Sequence, residues 1–177
     1  MEAVASGDPT PGGGGAAAMG AALAAALTAM AARKAGRRLE DADELTGRAE
    51  ELRLAALRLA PADARSYEKV LALARGPTEA RRNALLDAAR VPLEVARIAS
   101  ECAGMAERLA KHGAPALEGD ARVGREMALG ALRGAARLVR INVQEATRLS
   151  TREATGEEEE ILETLTELED AARPSSP

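Results

Sequence analysis

The chain has 177 residues, 46% of them hydrophobic, which is enough for a single domain with a core of ordinary size. Its apolar residues are mainly Ala, Leu and Val, with no Phe, no Trp and one aromatic, Tyr67, a palette that suits close-packed helices and argues against a β-rich fold. The 24 basic and 28 acidic residues leave a net charge of -4, so nothing favours nucleic acid or anionic lipid, and the lone Cys102 excludes an internal disulfide and fits the reducing cytoplasm.

The first predicted helix opens on Pro11-Gly12-Gly13-Gly14-Gly15, with Thr10 as N-cap and Pro11 as first helical residue, and runs to about residue 37. Residues 12–32 carry no charge, and length alone allows a membrane span. They are mostly Gly and Ala, however, and transferring them into lipid gains little. A signal peptide is disfavoured too, because Glu2 and Asp8 stand where positive residues are needed. No membrane partner is expected.

The second helix is announced by Asp41 and Glu44, a capping-box spacing, and its seam reads Leu45, Ala49, Leu52, Ala56, Leu59. Pro61 should end or kink it, with helix resuming until Gly76-Pro77. From a cap at Thr78, the line Leu85, Ala88, Pro92, Val95, Ala99, Cys102, Ala106 and Leu109 marks a third long helix, bent at Pro92. Residues 113–119 read as a loop, and Asp120 caps a fourth helix reaching about residue 154. An acidic last helix begins with Thr155 and Glu158 as a second capping box, and residues 174–177 form a disordered tail. The expected architecture is all-α: one domain over residues 1–173, an antiparallel bundle of about five long helices. Its seams outnumber what one core needs, which predicts a homodimer.

The sequence permits little metal or thiol chemistry. On one helix Cys102 and His112 lie ~15 Å apart along the axis and ~80° apart around it, which precludes a dyad, and the chain cannot assemble a zinc site from one His and one Cys. The glycine run is not a phosphate loop either, because Ala16-Ala17-Ala18 stands where Gly-Lys-Ser/Thr is required. Helix-start amides without covering side chains suit either a ligand carboxylate or carbonyl or a closely crossing helix. Arg122, Arg133, Arg137 and Arg140 share a sector of about 60° on the fourth helix, an anion-binding stripe or a solvated, ion-paired face. On its opposite side, Asp120 and Asn142 project towards apolar residues, where a carboxylate is a candidate acid or base, although Asp120 also suits a plain cap.

Four blocks in order carry a resemblance. The opening Ser6-Gly7-Asp8-Pro9-Thr10-Pro11-Gly12-Gly13-Gly14, the segment from Asp63 to Val70 with Tyr67, the block Val91-Pro92-Leu93-Glu94, and Gly119-Asp120 with Arg140-Ile141-Asn142-Val143 resemble the formiminotetrahydrofolate cyclodeaminase family, which includes methenyltetrahydrofolate cyclohydrolases. The likeness spans about residues 5–145. It departs from the family pattern where Gly15 and Gly119 replace serines and where the loop before Asp120 lacks asparagines. The resemblance implies a helical homodimer that binds a tetrahydrofolate derivative and uses no metal or other cofactor. It makes Asp120 the acid and base, and Pro11, Gly12, Gly13, Gly14, Gly15, Tyr67, Arg140 and Asn142 the folate-binding residues. The activities it implies are cyclodeamination of formimino-tetrahydrofolate or hydrolysis of the methenyl form. A helical dimer that has lost catalysis is the alternative from another class.

Asp120 and Asn142 point within about 40° of each other, yet 22 residues of helix would hold them ~33 Å apart. If they serve one site, either the fourth helix pairs with a second copy or Asp120 folds back from its loop.

Overall fold

At the centre of the fold lies the helix that the sequence makes out of alanine. The computed structural model describes residues 2–150 and 156–173, Arg37 by its backbone only. These residues form α1 (Glu2–Ala5), α2 (Gly13–Ala35), α3 (Ala42–Ala72), α4 (Thr78–His112), α5 (Glu118–Leu149) and α6 (Gly156–Ala171), with 3-10 turns at Gly36–Arg38 and Pro115–Leu117 and no strand among them. Ala18, Ala21, Ala24, Ala25, Ala29 and Ala32 are fully buried on α2, and side chains this small let α3, α4 and α5 all approach it closely.

Of these neighbours, α3 and α5 run antiparallel to α2, and α4 runs parallel to it, with Thr28 beside Cys102 and Ala32 in one cluster with Leu109. On the α3 side Gly14 meets Asp63 while Arg33, near the other end of α2, pairs with Glu50. On the α5 side Gly13 lies by Leu138, Gly20 by Ala131 and Gly124 by Leu27. A Cβ at Gly124 would stand 3.3 Å from Leu27 Cβ and 3.5 Å from the Ala24 carbonyl oxygen, so this crossing needs a residue without one. Larger core residues, Leu85, Leu86, Val95 and Ile98 of α4 with Leu132, Val139 and Val143 of α5, fill the other side, and α6 closes it with Ile161 and Leu165. A second, smaller cluster of Ala31, Ala32, Ala35, Ala42, Leu109 and Ala121 seals the end away from the glycine run. The fold is therefore all-α with five long helices, as the periodicity predicts.

α2 is long and apolar enough to cross a membrane, but 56% of its most apolar window is buried within the fold, where it serves as a core helix.

Several boundaries differ from expectation. Thr10 and Pro11, joined by a cis peptide bond, precede α2; Gly12 is the N-cap, and no side chain of that start caps the helix. Asp41 is the N-cap of α3 but its carboxylate does not cap, because Arg108 of α4 takes both oxygens at 2.5 and 2.9 Å. α3 runs unbroken through Pro61, and α4 through the buried Pro92. Thr78 is the first residue of α4 and Pro77 its N-cap. Leu117 is the N-cap of α5, so Asp120 is the third residue of the helix and neither caps it nor belongs to a loop. The expected extension of α5 to residue 154, the Thr155 cap and the tail at 174–177 lie outside the described residues.

Candidate functional site

The first turn of α2 is built from glycines alone. The first helical hydrogen bond is donated by Ala16 N to Gly12 O at 3.1 Å, so the amides of Gly12 to Gly15 have no partner within the helix, and no side chain rises beside Gly12, Gly13 or Gly14 to cover them. The helix dipole adds partial positive charge there. Against this turn lies one carboxylate. A Cβ at Gly14 would stand 2.0 Å from Asp63 Oδ1, 2.3 Å from its Cγ and 2.4 Å from Oδ2, so the Asp63 side chain occupies the space that any other residue at position 14 would need. Burial pushes the Asp63 carboxyl above its ordinary value, and the backbone amide of Gly15 acts in the opposite direction by favouring the anion.

Around Asp63 the chain leaves a pocket of about 270 Å³, lined by Pro9, Thr10, Gly12, Gly13, Gly14, Asp63, Tyr67, Leu138, Ile141 and Asn142. Tyr67, one helical turn after Asp63, is 40% exposed and stands at the rim rather than in the core. Asn142 Nδ2 donates to the Ala88 carbonyl oxygen at 3.2 Å, which anchors the amide to α4 and leaves its oxygen as the group available to a ligand. The pocket thus offers backbone donors, a carboxyl of raised pKa, an amide oxygen, an aromatic rim and an apolar wall. That combination of apolar lining with a few convergent polar groups is how small-molecule sites are built.

The formiminotransferase-cyclodeaminase family matches the sequence over residues 1–161, most of the chain and all of this pocket. The chain belongs to that family. Among solved structures, the formiminotetrahydrofolate cyclodeaminase from Thermotoga maritima, a crystal structure at 2.80 Å resolution, superposes with a TM-score of 0.86 at 28% identity, covering 96% of this chain and 85% of that one. No curated protein matches the chain. Membership in this cyclodeaminase family places the chain among enzymes of folate one-carbon metabolism.

The residues singled out in the sequence divide into two groups. Gly12, Gly13, Gly14, Tyr67 and Asn142, from three helices, line one pocket. Gly15 lies buried just behind it, and Pro11 packs on Gly15. Where Gly15 replaces the family's serine, a Cβ would meet Pro11 Cβ at 3.6 Å and Ala60 O at 3.7 Å, ordinary contacts that leave room for a Cβ. Arg140 stands apart, its guanidinium forked onto the Glu169 carboxylate of α6. Arg122 pairs likewise with Glu118. Asp120 sits at the opposite end of α5 from Asn142, ~33 Å away along the helix, and does not line the pocket. Asp63 stands in one of the ordered blocks of the sequence but carries no role there. Its signal was its place four residues before Tyr67, which puts the two on one face of α3. Among the described residues no group of three or more His, Cys, Asp or Glu is placed to hold a metal.

Proposed function

We propose that this chain cyclises 5-formiminotetrahydrofolate to 5,10-methenyltetrahydrofolate with release of ammonia. The observation that carries this reading is the single carboxyl, Asp63, held against the glycine helix start inside a pocket that lies within the family match.

The reaction asks little covalent work of the protein. N10 of the folate attacks the formimino carbon carried on N5, a C–N bond forms and the five-membered ring closes. The bond from that carbon to the formimino nitrogen then breaks. The formimino group reacts in its protonated, amidinium form; N10 then loses one proton and the departing nitrogen needs one to leave as ammonia, so one group that accepts and then donates a proton balances the step. A carboxyl whose pKa burial has raised towards neutrality is suited to that relay, and Asp63 is such a group in the pocket. The Gly12 to Gly14 amides hold a polar edge or carboxylate of the folate, the Asn142 oxygen accepts a hydrogen bond from it, and Tyr67 packs on its ring face. Positioning N10 against the formimino carbon supplies much of the rate. No cofactor besides the folate enters this scheme.

The test is ammonia release from formimino-tetrahydrofolate, followed together with the absorbance of the methenyl product. The wild type should release one ammonia per methenyl group formed, and Asp63→Asn should lose about 10²- to 10⁴-fold in kcat while still binding folinic acid by calorimetry. Hydration of methenyl-tetrahydrofolate without any ammonia release from the formimino compound would replace this reading with a cyclohydrolase. Absence of folinic acid binding would remove the folate reading altogether.

A further inference from the structure

Two prolines stand inside long helices of this chain, and each leaves one carbonyl without its helical donor. A helical N–H bonds the carbonyl four residues before it, and proline has no N–H to give. Pro61 of α3 therefore withholds a donor from Leu57, and Pro92 of α4 withholds one from Ala88. The two positions differ in what can take its place. Leu57 and Pro61 are exposed, so water can serve the first carbonyl. Ala88 is 3% exposed and Pro92 is fully buried, so water is shut out of the second. A buried carbonyl without a donor is costly, and folded chains rarely leave one.

The donor comes from the pocket. Asn142 of α5 reaches across with Nδ2 to the Ala88 carbonyl oxygen at 3.2 Å. A carbonyl only accepts, so this contact fixes the carboxamide with its nitrogen on α4 and Oδ1 turned away from it. An unanchored Asn can present either end by a half-turn of its amide, and so meets a ligand donor or acceptor equally well. Held in this way, Asn142 presents an acceptor to the pocket, and the ligand group that meets it must be an N–H or O–H. The block Val91-Pro92-Leu93-Glu94, marked in the sequence, contributes no residue to the pocket lining. Its proline acts on the pocket through Ala88.

We infer that Pro92 is a positioning residue of this site: by withholding a backbone donor from Ala88 it makes that carbonyl the anchor of the Asn142 nitrogen and sets Oδ1 toward the bound molecule. With any other residue at position 92, a backbone N–H would occupy the Ala88 carbonyl within the helix, the carbonyl would need no side chain, and the hold on the amide would weaken. The consequence for ligand binding rests on the folate reading above; the orientation of the amide does not.

The side-chain amide is the direct readout. The chain has three such amides, Asn83, Asn142 and Gln144, so in ¹⁵N-labelled protein the NH2 pair of Asn142 is the one that Asn142→Asp removes. In the ligand-free wild type one proton of that pair should exchange with solvent more slowly than those of the exposed Asn83 and Gln144, and in Pro92→Ala it should approach their rate. Equally fast exchange of both Asn142 protons in the wild type, or a pair that Pro92→Ala leaves unmoved, overturns the inference. Urea titration gives a second arm. Asn142→Ala strands the buried Ala88 carbonyl and should raise the unfolding equilibrium constant by about 5- to 100-fold, whereas in the Pro92→Ala background it should raise it by about threefold at most. Equal losses in the two backgrounds overturn the link.

Folinic acid titration separates positioning from structural support. Pro92→Ala should bind it about 2- to 10-fold more weakly, the worth of one hydrogen bond, and the double variant Pro92→Ala/Asn142→Ala should bind no worse than Asn142→Ala. Wild-type affinity in Pro92→Ala, with its Asn142 amide released, overturns the positioning role. A wild type that binds no folinic acid fails the folate reading, while a slowed Asn142 proton and a coupled urea cycle still uphold the setting of Asn142 by Pro92.

Discussion

The Asp63 carboxylate rests on the Cα of Gly14, its Oδ1 standing 2.0 Å from where a Cβ would be. This contact joins the middle of α3 to the first turn of α2, and it explains why a glycine run and an aspartate fifty residues later belong to one site. The Gly14→Ala variant should keep the fold, since the obstructing atoms are the end of a side chain, but it should expel the carboxylate from the pocket. We expect a stability loss of about 1–3 kcal/mol by urea titration, typical of overpacking, together with loss of turnover. Unchanged turnover in Gly14→Ala would show that the Asp63 position is not used.

Asp63 also gives a pH dependence whose sign is set. Its folded carboxyl binds a proton more tightly than the unfolded one, because burial penalises the anion more than the Gly15 amide favours it. Lowering the pH from neutral through the raised value should therefore stabilise the native state at this site, whereas paired carboxylates such as Asp41 and Glu50, held below their ordinary values by Arg108 and by Arg33, lose their contribution on acidification. The difference in unfolding free energy between wild type and Asp63→Asn, followed with pH, should shift in favour of the wild type as the pH falls. A difference that does not vary with pH would contradict this.

Much of this was legible in the sequence because the signals were local. The rhythm of Leu85, Ala88, Val95, Ala99, Cys102 and Leu109 is one buried face of α4, and Gly76-Pro77 breaks the chain where expected. The first glycines of α2, Tyr67 and Asn142 share a pocket because each lies near a helix position that ordered blocks marked. What could not be read depended on a partner distant in sequence. Asp41 fits a capping box, but Arg108, 67 residues away, competes for its carboxylate more strongly than the backbone does. Asp120 looks like an N-cap because the preceding loop is rich in Gly and Pro, yet the turn at Pro115–Leu117 lets the helix start two residues before it. Asp63 has no local mark of function; only the arrival of Gly14 beside it confers one.

Glu158 supplies a stability prediction at the other end of the molecule. Its side chain is 1% exposed, its carboxylate pairs with the guanidinium of the nearly buried Arg82 at 3.3 Å, and Thr147 donates to it at 3.4 Å. It thereby ties α6 to α4 and α5. Glu158→Ala leaves Arg82 as a buried charge without this carboxylate, which should cost about 3–5 kcal/mol in urea or thermal unfolding. A loss below 1 kcal/mol would mean that solvent reaches the pair and that α6 is held by its other links, Ile161 and Leu165 in the core, Arg140 on Glu169 and Ser100 on the Leu168 carbonyl.

Cys102 predicts an alkaline weakness. The hydroxyl proton of Thr28 goes to the Ala24 carbonyl oxygen at 2.9 Å, so in the 3.2 Å contact between Thr28 Oγ1 and Cys102 Sγ the thiol is the donor. Burial pushes this thiol from 9.0 to about 11. The unfolded thiol ionises first as the pH rises, so the native state loses stability between about pH 9 and 11, and none of this loss occurs below the unfolded value. Native protein at neutral pH should also resist thiol reagents until it unfolds. Rapid labelling under native conditions would show that the helices α2 and α4 separate readily at this point.

Two glycines test the exposed face of α5 without any activity assay. Gly104 of α4 and Gly130 of α5 are both exposed, both lie inside long helices, and a Cβ at either would meet nothing within 4 Å in the single chain. In a monomer the two alanine variants should behave alike, each gaining up to about 0.5–1 kcal/mol from helix propensity. Gly104→Ala should show that gain, because its open side faces the surface groove lined by Arg108 and His112. Gly130→Ala should show the same gain where its open side faces solvent. Destabilisation by Gly130→Ala alone would show that something outside the single chain covers this face of α5, since within the chain a Cβ there meets nothing within 4 Å.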